Sequence, residues 1–473
     1  MSSIIDRNPI YKQFKGEQPA ADRVSKRVKA QIFERTIPKY GAFLQERLAS
    51  GACDYIKQMA DQRGVFTGGL PKDRTKPFFL TDLDFGLNGA VGNAGILVKP
   101  GAPEKPIRII VSHSDVPCLK IRAQPVYIEA DAEKSMGCPS VALSAEEFGG
   151  VRPEDWYGRE VDVLGKIYTN GKVKSINLPG RIKQKSVHVD DRDDLKTYSG
   201  LKVDTGFRTI AELYAALGIK SHMDFGRASL YVVPNFGTGA NGRLVGNDFS
   251  AFGQDDRVCM WTSMVSGLEA MTKTDNTIIV AALENEEIGS SGISASYRGF
   301  FEGVLKETIK RVHGTNARKI DLPLDLSRGL LGNLPVIVAD VDVGIGFEEM
   351  EDGDKVDFKS AAKMGWGFFI SGQAPGSSWQ MRNMSAKHID GLMSLFKRRL
   401  PTRTPEQRYQ VTGSPNTLDS ESMSGTLSDQ FDKYFPCIDM GIPIVGLHHP
   451  GVEVANVYDL HWLKEGYGAY LKA

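Results

Sequence analysis

The 473-residue sequence predicts an α/β protein that carries an inserted, mostly β domain. Four short stretches, at 107–111, 277–283, 336–339 and 442–447, are almost continuously apolar and lie between polar or glycine-rich segments. Strands of this kind are covered by helices on both faces. Residues 120–236 differ, because many of their apolar positions alternate with polar ones and turn residues lie between, which is typical of half-exposed strands.

Helical segments fit between the apolar strands. The predicted helices are 22–59, 258–271 and 385–399. The first of them should be interrupted near Pro38, since proline removes a helical hydrogen bond. The predicted strands of the insert are 123–129, 162–168, 173–176, 186–189 and 229–233. We therefore divide the chain into a discontinuous α/β domain, residues 1–119 and 245–473, and an insert of residues 120–244.

Composition and charge exclude several classes of protein. Lysine plus arginine (58) balances aspartate plus glutamate (58), so no overall field attracts nucleic acid or an acidic membrane. The apolar runs are far shorter than the ~18 residues of a membrane span, and the polar N terminus lacks the apolar core of a signal peptide. The cysteines form no CxxC pair and should be reduced thiols; they are Cys53, Cys118, Cys138, Cys259 and Cys437. We expect a large cytoplasmic enzyme with neither nucleic-acid nor membrane partners.

Ionisable side chains follow each of the apolar strands directly. In open α/β sheets ligands gather at the carboxyl ends of the strands, so separate segments should deliver these side chains to one edge. Charged groups so close to apolar strands are costly unless they are paired or bind a metal. The side chains are His113 and Asp115, Glu286 and Glu287, Asp340, and His448 and His449, with Asp255 and Asp256 ahead of the helix at 258–271.

Two imidazoles and three carboxylates suit zinc, manganese or cobalt, and their number is right for two ions that share a bridging carboxylate. Such a pair of ions activates a water molecule and polarises a carbonyl group. Of two adjacent glutamates, one can bind metal while the other moves protons. Taken singly, each segment is more simply a capping pair or a solvated loop. The common location of all the segments is what predicts a metal site.

Four motifs resemble those of one enzyme family. Residues 113–120 (H-S-D-V-P-C-L-K) resemble H-T-D-S-P-C-L-K, and residues 285–290 (N-E-E-I-G-S) resemble N-E-E-V-G-S. Residues 154–167, which include W-Y-G-R-E-V and G-K-I, resemble T-W-x-D-R-x-L…G-R-V. Residues 439–448, which include D-M-G-I-P and L-H, resemble D-x-G-x-P…M-H. The ordered set resembles the M18 family of metalloaminopeptidases, of the aspartyl aminopeptidase and aminopeptidase I type, over nearly the whole chain.

This resemblance implies a metallopeptidase-type α/β/α sandwich as catalytic domain, with the inserted β domain serving dimerisation. It implies two zinc ions per subunit, exchangeable for manganese or cobalt, and removal of single residues from peptides with a free N terminus. It further implies a homo-oligomer, a tetrahedral dodecamer built from dimers.

The resemblance also implies a role for each candidate residue. The metal ligands are His113 and Asp340 for one ion, Glu287 and His448 for the other, and Asp255 as the bridge between them. Glu286 is the general base, and Asp115 orients the ring of His113. A neighbouring subunit contributes His188 to the substrate site, and a turn with Gly425 and Thr426 lines it.

The chain departs from the family pattern at several positions. Residues 255–256 are Asp-Asp where the family has Asp-Asn, and we prefer Asp255 because it takes the first place. Val343 stands where the family has a histidine after the metal-binding aspartate. Substrate preference stays open, because Lys359 or Lys363 could bind an acidic side chain or be an ordinary surface lysine.

The C-terminal ligand is also ambiguous. Alignment through Leu447 selects His448, whereas alignment backwards from Glu453 selects His449. We prefer His448, because a strand fixes spacing better than the loop beyond it.

Three rival interpretations are weaker. Residues 237–242 satisfy G-x-G-x-x-G, but Pro234 and Asn235 break the junction with the preceding strand, and the following residues do not predict the helix of a dinucleotide site. An M42-type peptidase shares the ligand set, but the segments around Trp156 and His188 favour M18. A peptide-binding or assembly homologue without turnover would have no use for the base Glu286.

Overall fold

The computed structural model describes residues 24–87, 90–128, 141–169, 172–183, 201–237, 239–290, 292–295, 297–314, 329–344, 362–371, 382–400, 409–412, 427–431, 434–451 and 453–473. Three predicted substrate-site residues, His188, Gly425 and Thr426, lie outside these ranges, as do Lys359 and the predicted strand at 186–189.

The described strands and helices follow one another along the chain in α/β order, with a block of strands in the middle. The strands are β1 (Phe78–Thr81), β2 (Gly95–Lys99), β3 (Ile107–His113), β4 (Cys118–Ile128), β5 (Val141–Phe148), β6 (Glu160–Thr169), β7 (Lys172–Ile182), β8 (Leu201–Asp204), β9 (Ala228–Pro234), β10 (Arg243–Val245), β11 (Asp248–Ala251), β12 (Thr277–Leu283), β13 (Val336–Val338), β14 (Asp342–Val343), β15 (Phe368–Ser371), β16 (Tyr409–Thr412), β17 (Cys437–Gly441), β18 (Pro443–Ile444) and β19 (Glu453–Asn456). The α-helices are α1 (Lys26–Gln31), α2 (Ile37–Phe43), α3 (Ala49–Asp61), α4 (Ile210–Leu217), α5 (Gln254–Ala270), α6 (Glu302–His313), α7 (Arg382–Arg399), α8 (Leu427–Phe431) and α9 (Val457–Leu471). Among these helices, none combines the length and the apolar character that a membrane span needs.

The central sheet has eight strands in the order β1-β2-β12-β3-β13-β17-β15-β16, and its middle strands β12, β3, β13 and β17 are parallel. Alternate residues of β3 belong to different cores. Ile110 lies in a core with residues of α2, α3, α5, α7 and α9, whereas Ile109 and Val111 lie in a core with residues of α6 and α8. Helices therefore cover both faces of the sheet, and the predicted α/β/α sandwich is confirmed.

The block of strands in the middle of the chain closes into a barrel, in the order β4-β5-β8-β7-β6-β9. The barrel has its own hydrophobic core, which contains the fully buried Trp156 and Leu213. It begins at Cys118 and ends at Pro234, and its first and last strands pair with each other, Leu119 opposite Val232. This barrel corresponds to the segment predicted as an insert, whose function in dimerisation stays a prediction.

Several predicted elements need correction. The segment 442–447 is not a strand of the central sheet. The sheet strand is β17, five residues earlier, and only Pro443–Ile444 form a short strand that pairs with β14. The interruption near Pro38 is also wrong. Pro38 lies in the first turn of α2, where its missing N–H is tolerated, and α2 continues from a π-helical turn at Ile32–Thr36.

Two strands of the barrel, β5 and β8, were not predicted. In contrast, the glycine-rich turn after Pro234 behaves as expected. It leads into the strand β10 rather than into the helix that a dinucleotide site requires.

The two-layered core leads to a first prediction. Replacing Ile110 by alanine leaves a cavity between the sheet and the helices that share its core, α2, α3, α5, α7 and α9. We therefore expect the free energy of unfolding to fall by about 2–5 kcal/mol. Denaturant titration of the full chain measures this change. The matched control is Val173→Ala, at a strand position that is 57% exposed, where the change should stay within about 0.5 kcal/mol. Equal effects of the two substitutions would contradict the assigned core.

Candidate metal centre

Three neighbouring strands of the central sheet deliver their following residues to one edge. Leu283 at the end of β12 lies opposite His113 at the end of β3, and Val338 at the end of β13 lies opposite Val111. Because the three strands are parallel and in register, the residues after them meet. The residues that meet at this edge are His113 itself, the 3₁₀ turn Glu286–Ile288 and Asp340.

The carboxylate of Asp255 lies between two imidazoles. Its Oδ1 is 3.1 Å from Nε2 of His113, and its Oδ2 is 3.0 Å from Nε2 of His448. Each carboxylate oxygen thus faces a different ring, which is the arrangement of a bridging ligand. Asp256 is directed elsewhere, since its Oδ2 accepts a 3.3 Å hydrogen bond from the backbone N–H of His113. The geometry therefore favours Asp255 over Asp256 for the position between two ions.

Further carboxylates complete a group on each side of Asp255. Oδ1 of Asp340 is 3.6 Å from Nε2 of His113, and Oε2 of Glu287 is 4.0 Å from Nε2 of His448. The potential ligand atoms of His113, Asp255 and Asp340 all lie within 4.8 Å of one another, and so do those of Asp255, Glu287 and His448. A third group of this kind joins His113 to Glu287 and Glu286. The first two groups match the predicted division of ligands.

The two adjacent histidines point in different directions. His448 reaches Asp255, whereas Nε2 of His449 is 3.9 Å from the Asp155 carboxylate of the barrel segment. Nδ1 of His449 accepts a 3.1 Å hydrogen bond from the backbone N–H of Gly451. The structure brings His448 and not His449 to the cluster.

Asp115 contacts two parts of the cluster at once. Its carboxylate accepts hydrogen bonds from the backbone N–H groups of Glu286 and Glu287, at 3.3 and 3.1 Å. Its Oδ1 also lies 3.4 Å from Nδ1 of His113. Asp115 thereby positions the glutamate turn and faces the side of the His113 ring that is turned away from Asp255.

Burial and mutual repulsion give the acidic groups a high affinity for protons. Burial raises the pKa of Glu286 to about 8 and that of Glu287 well above its usual range. It also raises the pKa of Asp340. Burial lowers the pKa of the two imidazoles, but the surrounding carboxylates raise it by more. The pKa of His448 therefore rises to about 11, and that of His113 also lies well above its usual value.

These residues fit divalent cations. Imidazole nitrogens and carboxylate oxygens are the ligands that zinc, manganese and cobalt take. Oε1 of Glu287 is buried and has no hydrogen-bond partner, which leaves a carboxyl oxygen available as a ligand. Cations among the carboxylates would also take the place of the protons that the raised pKa values require. The donor set thus supports metal binding, as predicted.

Sequence reasoning missed the structural part that Glu453 plays. This fully buried carboxylate accepts hydrogen bonds from the backbone N–H of His448 at 2.9 Å and of Asp255 at 3.3 Å. It thereby fixes two predicted ligands from segments almost 200 residues apart. In the sequence Glu453 is only an alignment point, because a single glutamate at the start of a strand is most simply exposed.

Other predicted residues lie elsewhere. Val343 is half-buried in β14, where it pairs with Ile444 of β18. Lys363 places its ammonium group 5.3 Å from the centre of the Trp366 ring. A role for Lys363 in binding an acidic substrate side chain stays a prediction.

Comparison with known proteins agrees with this fold. A scan against family models finds no match. The probable M18 family aminopeptidase 1 of Borreliella afzelii is 24% identical over 402 residues, which cover 78% of this chain and 81% of that protein. The corresponding protein of Clostridium acetobutylicum is 22% identical over 405 residues, 77% of this chain and 78% of that protein.

Solved structures resemble the fold over almost the full chain. An M18 family aminopeptidase from Thermotoga maritima has a TM-score of 0.76 at 19% identity, covering 96% of this chain and 99% of that one. Aminopeptidase I from Clostridium acetobutylicum has a TM-score of 0.74 at 17% identity, covering 96% and 99%. The mApe1 dodecamer of S. cerevisiae has a TM-score of 0.66 at 15% identity, covering 93% and 97%.

Fold, donor set and relatives together define the class of protein. They confirm the predicted enzyme class, a metal-dependent aminopeptidase, which is a hydrolase acting on peptide bonds. Within that class they confirm the resemblance to the M18 family that the motifs predict.

The directions of the two histidines lead to a second prediction. His448→Ala removes the ring beside Asp255 and should lower the content of bound metal, whereas His449→Ala should keep wild-type content. Elemental analysis of the purified variants measures both values. Loss of metal in His449→Ala together with full content in His448→Ala would reverse the assignment.

Proposed function

We propose that the protein is a dinuclear-metal-dependent aminopeptidase that hydrolyses the N-terminal residue from peptides. The observation that carries this proposal is the carboxylate of Asp255, whose two oxygens face two different imidazoles at 3.0 and 3.1 Å. Zinc is the ion that we propose, with manganese or cobalt as substitutes. His113 and Asp340 would hold one ion and Glu287 and His448 the other, with Asp255 shared.

Two divalent ions, when bound, supply Lewis-acid charge that activates a water molecule and polarises the scissile carbonyl group. Glu286 would act as the base. Its Oε2 lies 4.0 Å from Nε2 of His113, and its side chain comes from the same turn as the ligand Glu287. Burial raises the pKa of Glu286 to about 8, and nearby cations would lower it toward neutrality. A carboxylate of that pKa can take a proton from water and return it to the departing amine.

The remaining parts of the site extend the proposal to the substrate and the assembly. His188 of a neighbouring subunit would bind the substrate carbonyl, and Gly425 and Thr426 would line the site. The substrate would be a peptide with a free N terminus, acted on in the cytoplasm. We propose a homododecamer with tetrahedral symmetry. In its support, one solved structure with this fold is described as a dodecamer.

Two alternatives are separable by experiment. An M42-type peptidase would share the ligand set, and a homologue without turnover would bind peptides only. The location of Glu286 beside His113 favours turnover, because binding alone needs no base. The test is hydrolysis of a panel of aminoacyl-amides with acidic, neutral and hydrophobic residues. We expect a chelator to abolish turnover, and zinc, manganese or cobalt to restore it. Absence of hydrolysis in metal-loaded protein would contradict the proposal.

The assigned base gives a third prediction. Glu286→Gln keeps the shape of the side chain but cannot take a proton, so kcat should fall by about 10²- to 10⁴-fold while metal content is retained. Glu284→Gln is the matched control, because this carboxylate follows the same strand but accepts a hydrogen bond from Asn93, which an amide oxygen also accepts. Steady-state kinetics on the aminoacyl-amide panel and elemental analysis measure the two effects. Near-normal kcat in Glu286→Gln would overturn the assignment.

The proposed shared site gives a fourth prediction. His188→Ala subunits should keep metal but lose most of their turnover, since the neighbouring site would lack a group that binds the carbonyl as charge develops. Mixing them with Glu286→Gln subunits under conditions of subunit exchange should restore part of the activity, because some sites then combine an intact base with an intact His188. Exchange can be followed by native mass spectrometry. Rescue that fails despite demonstrated exchange would count against the shared site.

A further inference from the structure

A short segment of the barrel lies against the loop that carries His448. The first contact is a hydrogen bond of 3.2 Å between Nδ1 of His448 and the carbonyl oxygen of Gly150. A carbonyl group can only accept, so Nδ1 must be the protonated nitrogen of the ring. The other nitrogen, Nε2, faces Asp255 and can bind a cation in place of its proton. Gly150 thereby sets the tautomer that metal binding requires.

The barrel backbone approaches this region so closely that an added side chain would push against the predicted ligands. A Cβ atom on Gly149 would lie 2.6 Å from Oε2 of Glu287, and one on Gly150 would lie 3.0 Å from Nδ1 of His448. The first distance is shorter than real Cβ atoms show, and at the second the His448 ring would have to move by a few tenths of an ångström. The two glycines therefore lie against the side chains of both ligands that we assign to one ion.

Two further contacts lie on either side of the loop. The carboxylate of Asp155 is 3.9 Å from the ring of His449. The guanidinium group of Arg159 lies directly on the backbone of Gly451, where an added Cβ would be 2.5 Å from its Nη1. Arg159 also donates a hydrogen bond from Nε to the carbonyl oxygen of Asp155, which ties these two contacts together.

The barrel core holds this segment in place. The fully buried Trp156 belongs to a short 3₁₀ helix, Pro153–Trp156, between the two glycines and Arg159. The backbone N–H of Gly158 also donates a 3.1 Å hydrogen bond to the carbonyl oxygen of Ile182 in the barrel strand β7. The segment is thus anchored in the barrel and reaches the loop only from the barrel side.

We infer that residues 149–159 are a positioning segment for the ion held by Glu287 and His448, so that its affinity depends on the docking of the barrel. This rests on the proposed pair of ions. For the ion held by His113 and Asp340, the hydrogen bonds and ion pairs found for these two side chains among the described residues come from the catalytic domain. The two ions should therefore respond differently to changes in the barrel.

The test is titration calorimetry of zinc into metal-free, full-length protein. The wild type should bind two ions, and Gly150→Ala should bind one of them about 10- to 100-fold more weakly, the usual effect of altering a group that orients a metal ligand. The added methyl group pushes against the His448 ring. Excess zinc should restore the activity of the variant, because the site is weakened but chemically complete.

Two controls separate positioning from stability. Gly226→Ala lies in the same domain with no atom within 4 Å of the added Cβ, and it should bind both ions as the wild type does. The melting temperature of the metal-free Gly150→Ala protein should equal that of the wild type. Arg159→Met should reproduce the selective loss, whereas Arg181→Met, at an exposed position of the barrel, should not.

The outcomes distinguish this inference from the proposed function. A wild type that binds a single ion overturns the dinuclear proposal and this inference with it. A wild type that binds two ions, with unchanged affinities in both Gly150→Ala and Arg159→Met, overturns this inference alone. Equal weakening of both ions in these variants would also overturn it, because a general loosening of the fold would then explain the result.

Discussion

The arrangement of the catalytic domain depends on one carboxylate held between two imidazoles. Asp255 is buried, and burial alone would favour its neutral form, but the hydrogen bonds from His113 and His448 hold its pKa below the usual range. His113 comes from the end of a central strand, and His448 comes from a loop more than 300 residues later. The contact therefore joins distant parts of the chain at one point, and the surrounding carboxylates gather where cations can balance them.

Most of this site could be predicted from the sequence because parallel strands in register place their ends together. The apolar strands before His113 and Glu286 are short and continuous, so the residues after them were assigned to the correct edge. The strand ends predict where the metal site lies, and the imidazole and carboxylate side chains found there predict that it binds metal. The preference for His448 over His449 stays a prediction, which the structure supports by placing the His448 ring beside Asp255 and the His449 ring beside Asp155.

Other features were hidden because local pattern and tertiary environment disagree. The sheet strand β17 contains Asp439, whose carboxylate accepts a hydrogen bond from the hydroxyl of Ser428 in the interior. β17 has five residues, and one of them is charged. The more apolar segment 442–447 therefore fitted the pattern of a buried strand better and was predicted instead. Gly149 and Gly150 give the pattern of an ordinary turn, and only the neighbouring ligand side chains show that a larger residue would push against them.

The pairing of the first and last barrel strands has a consequence for how such a chain can be assembled. Leu119 and Val232 are directly opposite each other, so the chain leaves the sandwich and returns to it at nearly the same place. Within the sandwich, the more than one hundred residues between these two positions act as a short connection. The loss of chain entropy on closing this long loop is offset by the burial of the barrel's own hydrophobic core. An independent module can be added at such a point without displacing any strand of the parent sheet.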